Sequence, residues 1–446
     1  MALHPRILVI GAGISGLASA RTLADAGASV TIFEAADHVG GRMISEEVDG
    51  APMDCGAQFL SAAYTTIPAL MEAAGLSETL IPTSPWTAVA AGGRLCRVHG
   101  GRPDSMLRGG LLDFGGWLRL GLGSIQAAWR GLRCPPGHAA AWERWDKPEA
   151  GPWADRVFGP QAAARVVEPM LHGFFFQELR NMSRALPMAM MALAHRPRPL
   201  RTLAGGIGRL PQALAAGLDV RLGSPVTAVR ATARGATVLT EDGEHTADAV
   251  VLATTAPVAA RLHPEARELE RRLFATPYSA TINMVLAADE RFRLPEALCD
   301  VYGVLPARDS RNRVAGIGIE RHKAPERVVN GERFDVMLSS DVARALMEQP
   351  DGAVIDAVLP EVERWLPCLR RHLRWARLWR WPQAMPCTPP SRVEAIRRYR
   401  AAPVGRVVLA GDYIGFPWTD SAAETGLWAA QAVLARLGRD GRGAVG

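Results

Sequence analysis

The sequence has almost no lysine. Of its 51 basic residues only Lys147 and Lys323 are lysine and the others are arginine, which leaves few candidates for chemistry that needs a side-chain amine. Cysteine is sparse as well: Cys55, Cys96, Cys134, Cys299, Cys368 and Cys387 form neither a CxxC pair nor a regular pattern. Disulfides and metal sites are therefore not expected, and the thiols read as those of a reduced cytoplasmic protein. No apolar run approaches the ~20 residues that a bilayer span requires. A signal peptide is not expected either, because the first strand begins by Arg6, and the polar, glycine-rich C-terminal stretch offers no anchor. Low-complexity segments and internal repeats are missing. The formal charge of +6 and pI near 9.3 are modest for 446 residues, and the basic residues are scattered. That charge reads as a solvated surface, with no nucleic acid as partner. The remaining composition, 48% hydrophobic and 22% charged, is that of an ordinary globular chain long enough for two domains.

The most informative residues come first. Arg6 to Ile10 (RILVI) reads as a buried parallel strand. Gly11-Ala12-Gly13-Ile14-Ser15-Gly16 follows as GxGxxG, and Leu17, Ala20, Leu23 and Ala24 recur at helical spacing as far as Gly27. Ser29 to Phe33 reads as a second strand, ending in Glu34, 18 residues beyond Gly16. Gly11 permits the tight turn, Gly13 lets backbone N–H groups approach a pyrophosphate, and Gly16 lets the helix pack closely on the strand. The helix N-terminus adds its partial positive charge, and Glu34 stands where an acid accepts hydrogen bonds from an adenosine ribose. A lone GxGxxG is common. Strand, turn, helix, strand and acid together within about 30 residues indicate a dinucleotide site.

That pattern does not separate nicotinamide from flavin, but two further segments bear on the choice. In Val39-Gly40-Gly41-Arg42 the backbone can pass close to a pyrophosphate while a guanidinium reaches it. Near the other end, the apolar strand Arg406 to Ala410 runs into Gly411-Asp412, then Pro417, Trp418, Thr419 and Asp420, then an Ala-rich helix from Ser421. The GxGxxG turn, Glu34, Gly40-Gly41-Arg42, Gly205-Gly206-Ile207-Gly208 with Leu210, Val226 in PVTAV and the C-terminal LAGD occur in the same order in the flavin amine oxidase superfamily. The chain resembles that superfamily from end to end; its members include monoamine oxidases, protoporphyrinogen oxidases and carotenoid desaturases. The resemblance implies noncovalent FAD and an α/β Rossmann-type FAD-binding domain plus an α+β substrate-binding domain, the two-domain architecture of amine oxidases and p-hydroxybenzoate hydroxylase. It carries cofactor contacts onto Gly11, Gly13, Ile14, Ser15, Gly16, Glu34, Ala35, Gly40, Gly41, Arg42, Val226, Gly411, Asp412, Trp418 and Thr419, with Gln58 and Phe59 beside the ring.

On this reading residues 1–85, 202–262 and 393–446 form the FAD-binding domain, and residues 86–201 and 263–392 the substrate-binding domain. Strands are expected at 217–222, 226–231, 236–240 and 249–253 in the first, with a hairpin turn at Glu241-Asp242-Gly243, and at 279–287 and 313–319 in the second. Residues 86–200 read as short helical patterns rich in tryptophan, glycine and proline. Within them Met106 to Trp129 reads as buried helix, with a membrane surface or the cover of a greasy tunnel as the alternative. Leu171 to Phe176 and the Met-rich Leu186 to Ala194 add apolar surface that can adapt to a bulky ligand. Asp420 is expected to cap the helix that starts near Ser421, and Asp412 to hydrogen-bond the ribityl or phosphate region.

Trp418, Gln58 and Trp381 are the candidates for catalytic contact. Amine oxidases in the superfamily place a lysine after the first strand of the substrate sheet, where it holds a water against flavin N5, and use two aromatic residues as a cage. Here Asp289 falls near the lysine position, neither Lys147 nor Lys323 fits it, and the partner of Trp418 in the cage falls near Ala384 or Met385. Trp381-Pro382-Gln383-Ala384-Met385-Pro386 instead resembles the WPxAxP segment of protoporphyrinogen oxidases and related desaturases, followed here by the divergent Cys387-Thr388-Pro389-Pro390. The expected function is two-electron oxidation of a bulky, largely apolar small molecule, with O₂ or another acceptor. Amine or amino-acid oxidation, redox-neutral isomerisation and a non-catalytic FAD-binding role are the alternatives.

Overall fold

The computed structural model describes residues 4–135, 137–194, 200–310 and 313–443. The end of the polar C-terminal stretch, residues 444–446, lies outside them. Five parallel strands form the first sheet, in the order Asp219–Arg221, Ser29–Phe33, Arg6–Ile10, Ala249–Leu252 and Val407–Leu409. Ile10 stands between Phe33 and Leu252, so the strands end together beside the glycine turn. Both faces of this sheet are covered. Ile7 and Val9 pack under the helices Ile14–Asp25 and Thr419–Gly443, while Leu8 and Ile10 join Val229 and Val238 of the antiparallel meander at 226–247. Such strands read as continuous apolar runs with little alternation, which is why their positions were legible.

The second sheet has seven mixed strands, in the order Leu373–Pro386, Tyr278–Ala288, Glu332–Leu338, Val314–Ile319, Val301–Pro306, Trp86–Ala91 and Arg94–His99. Ile282, Met284, Phe334 and Val336 turn one face onto the helices Ser340–Leu346 and Asp351–Val362. The alternate residues, among them Thr281, Asp335 and Met337, face a large cavity. Several strands depart from the sequence reading. Trp86–Ala91 and Arg94–His99 form a hairpin where helices were expected; the turn is Gly92-Gly93, both at positive φ, the conformation that a two-residue hairpin loop demands. The 14-residue strand Leu373–Pro386 was hidden because its tryptophans and arginines follow no simple apolar alternation.

Met106 to Trp129 is also corrected. Its main element, the helix Phe114–Gly131, buries Gly116, Leu120, Ser124 and Ala127 and exposes the opposite side, including Phe114, Leu118, Leu122 and Ile125.

Candidate active site

The glycine turn is built by close approach. Gly11 adopts φ +100°, and a Cβ there would stand 2.8 Å from the Ala253 carbonyl oxygen, so only glycine fits. Gly16 packs against the Gly11 carbonyl and the Ala253 side chain, which is the helix-on-strand contact expected of it. A Cβ on Gly13, in contrast, would meet nothing within 4 Å: that side opens into the cavity. The helix that follows has neither a side-chain cap nor an acid in its first turn, so its first N–H groups point outward unsatisfied. Beside it the Glu34 carboxylate accepts the Ala12 N–H at 2.6 Å and the Ala36 N–H at 2.9 Å, which fixes its position on the cavity wall.

The two ends of the chain meet here. The Ser15 and Thr425 hydroxyls are 3.1 Å apart, and Thr425 Oγ1 accepts the Gly411 N–H at 2.9 Å. Arg42 Nη1 lies 2.6 Å from Asp412 Oδ2 and donates to the Ala384 carbonyl at 2.9 Å, and the Tyr278 hydroxyl donates to Asp412 Oδ1 at 2.8 Å. The Asp412 carboxylate is thus committed to Arg42 and Tyr278. Burial opposes the Arg42 charge, but Asp412 and Tyr278 outweigh it and hold the guanidinium above its ordinary pKa. Asp420 is corrected outright: it does not cap its own helix. Its carboxylate accepts the N–H groups of Thr65, Thr66 and Ile67 and so caps the helix Thr66–Ala73.

Between these ends runs the loop 54–59. Gln58 donates to the Asp54 carbonyl at 2.8 Å, Trp381 Nε1 to the Cys55 carbonyl at 2.9 Å, and Asn283 to both carbonyls at 3.3 Å. Phe59 stacks edge-on to Phe174 at 5.0 Å. Trp418, 6% exposed, packs on Phe175 and Phe416, and its indole N–H has no acceptor within the protein. Every cofactor or catalytic candidate named from the sequence lines one cavity of about 1600 Å³, except Gly16, whose role is packing. Asp289 is not among the lining residues; it pairs with His372 at 2.9 Å.

The flavin containing amine oxidoreductase family matches residues 14–434. The chain belongs to that family. It is similar over 96% of its length to coproporphyrinogen III oxidase of Mycobacterium leprae, at 27% identity and with 98% of that protein covered. A putative protoporphyrinogen oxidase from Exiguobacterium sp. 255-15 shares the fold at 20% identity and TM-score 0.74, over 97% of this chain and 99% of that one. So does cyclohexylamine oxidase from Brevibacterium oxydans IH-35A, at 18% identity and TM-score 0.76 over the same shares. This flavin amine oxidoreductase is accordingly an FAD-dependent oxidoreductase of two-domain architecture. The site suits that cofactor: an uncapped helix end, a bare Gly13 and an unpartnered Trp418 donor all face the same space.

Sequence reasoning missed a buried ionic cluster beneath loop 54–59. Lys323, remote in sequence from the ring candidates, reaches Gln58 Oε1 at 2.6 Å, Glu320 Oε1 at 2.8 Å and Asp54 Oδ2 at 3.0 Å. Arg327 adds a second contact to Asp54 Oδ2 at 2.6 Å. Burial raises the Asp54 pKa, but Lys323 and Arg327 prevail and bring it to about 2. Three acids, Asp54, Glu320 and Asp335, face two cations, Lys323 and Arg327, all of them buried. Both oxygens of Asp335 and Oε2 of Glu320 lack a donor. One proton resolves the imbalance. Burial and the neighbouring Glu320 push Asp335 well above the ordinary carboxylate range, which makes it the most readily protonated of the three acids. Two signals in the sequence pointed here: the 320/323/327 spacing of Glu, Lys and Arg, and a lone Asp within the apolar run FDVML.

Proposed function

We propose that this enzyme oxidises a bulky, largely apolar substrate of the porphyrinogen class by two electrons, in the cytoplasm, and passes them to O₂ or another acceptor. One observation carries the reading: the cavity of about 1600 Å³ exceeds the roughly 300–1,000 Å³ of an ordinary ligand site, room for FAD and a bulky second molecule together, and the part beyond the glycine turn is walled by Phe59, Phe174, Trp117, Met170, Met190 and Leu305. The full-length likeness to a coproporphyrinogen III oxidase supports it. Six free cysteines suit a reducing compartment.

FAD would lie with its ribose at Glu34, its adenine at Val226, its pyrophosphate over Gly13 and beside Arg42, and its ring between loop 54–59 and Trp418, within the domain division 1–85, 202–262 and 393–446 against 86–201 and 263–392. When bound it supplies the acceptor for two electrons and a proton. The chain's own part is positional. Trp381 and Asn283 pin the loop that carries Gln58 and Phe59, and the sheet face bearing Thr281 and Met337 forms one wall of the cavity. The cluster also weighs against amine oxidation. Lys323 donates to Gln58 Oε1 and Glu320 Oε1 and pairs with Asp54 at 3.0 Å, so its ammonium is held within the cluster and away from a water.

The test is anaerobic mixing of the yellow protein with coproporphyrinogen III, protoporphyrinogen IX and a panel of primary and secondary amines. Rapid loss of the oxidised flavin band with a porphyrinogen is expected. Bleaching by amines alone would sink the reading, and turnover without net bleaching would replace it with isomerisation.

A further inference from the structure

Seven of the nine large hydrophobic side chains exposed among the described residues lie between Leu107 and Leu132. Six of them, Phe114, Leu118, Leu122, Ile125, Trp129 and Leu132, belong to the helix Phe114–Gly131 and the residue after it. At 100° per residue they fall within an arc of about 80°, one continuous stripe. Leu122 and Ile125 at its centre are 60% and 62% exposed. A stripe of this kind on a folded protein marks an interaction surface.

What flanks the stripe decides its partner. Arg119, Arg130 and Arg133 follow along one edge, and the guanidiniums of Arg130 and Arg133 stand 4.9 and 4.0 Å from the centre of the Trp129 ring. From Leu107 to Arg133 there are four arginines and one acid, Asp113, which is already used: its carboxylate accepts the Gly116 N–H at 2.6 Å as the helix cap. Along the other edge Trp117, Leu120, Gly121 and Ser124 line the cavity. We propose that this helix docks the enzyme peripherally on an anionic lipid bilayer, with the stripe among the acyl chains and the arginines at the headgroups. The helix lies along the surface: no described helix is long and apolar enough to cross a membrane. An excess of arginine on one edge complements lipid phosphate and disfavours a second copy carrying the same edge. The helix would then have lipid on one side and the substrate cavity on the other, a short path for an apolar molecule. That delivery role rests on the function proposed above; docking itself does not.

Flotation of the yellow holoprotein with vesicles tests docking without turnover, so loss of the substrate reading leaves the result intact. Phosphatidylcholine vesicles with one-third phosphatidylglycerol should carry the protein upward at low salt, and pure phosphatidylcholine vesicles should carry much less. The double variant Leu122→Glu/Ile125→Glu should lose at least tenfold in bound fraction while keeping its flavin absorbance and melting temperature, because both side chains already meet water. Wild type that stays with the soluble fraction in every mixture overturns the proposal, as does a variant that floats equally well. Equal flotation with both lipids overturns the role of the arginines. A wild-type dimer at micromolar concentration that the variant dissolves would assign the stripe to a second copy instead.

Discussion

Gly13 and Gly16 sit three residues apart in one turn and should fail differently. A side chain on Gly13 has open space before it, and its backbone, at φ −72° and ψ 173°, suits any residue. Gly13→Val should therefore give a folded, colourless protein, with loss of flavin absorbance and little change in apoprotein melting temperature. Gly16→Val drives atoms into the Gly11 carbonyl and should prevent soluble expression. The ionic cluster makes a second pair. Asp54 is depressed to about 2, so its stabilisation is full above the ordinary carboxyl value near 4 and is lost as pH falls through 2, on the order of 2 kcal/mol. Asp335 is raised, so the stability due to its proton is full below the ordinary value and is lost as pH rises through the raised one. Burial sets that value first, then Glu320, with Lys323 opposing and Asp54 adding to the rise. Asp335→Asn, which keeps a donor toward Glu320 without a titrating proton, should flatten the alkaline limb of a melting-temperature profile and leave the acid limb unchanged. A steeper alkaline limb would place the proton elsewhere.

At the scale of elements, contacts between segments far apart in the chain come from side chains with unremarkable local roles. The strand Leu373–Pro386 presents Trp375, Trp379 and Trp381 on one face, and their indole N–H groups donate to Asp49, Glu46 and the Cys55 carbonyl. This ties the edge of the second sheet to the segment that leads into loop 54–59. Asp420 does the same for the helix Thr66–Ala73: one carboxylate serves three N–H groups at the far helix. Asp420→Ala leaves the buried Thr66 and Ile67 donors bare, and should cost about 1–3 kcal/mol, read as a lower denaturant midpoint with an unchanged slope. A sequence reading puts Asp420 at its own helix start because cap rules are local; the true partner is more than 350 residues away.

For the whole molecule, the cavity is the feature on which every segment converges. Its walls come from the first strand, the last helix and both intervening stretches, so a ligand seated there touches pieces that the chain alone joins only distantly. Bound FAD should consequently stabilise the folded state by mass action: the melting temperature should rise with the logarithm of added FAD over that of stripped apoprotein, and both sheets should unfold in one transition. Coincident near-UV and flavin fluorescence transitions would show this; identical melting with and without FAD would refute it.

The dinucleotide turn and the strands of the parallel sheet are legible in the sequence because they depend on short-range patterns, glycine where a backbone must pass closely and apolar runs where both sheet faces are covered, whereas the meeting of the two ends is what the family resemblance implies. The sequence also held the letters of the ionic cluster and the apolar stripe without their meaning. Folding alone brings Lys323 onto Gln58 and two acids, buries Asp335 beside Glu320, and turns the apolar side of the helix Phe114–Gly131 outward. The physical reason is common to all three. Charge balance and exposure belong to neighbours brought together by folding, and no local pattern records which neighbours those are.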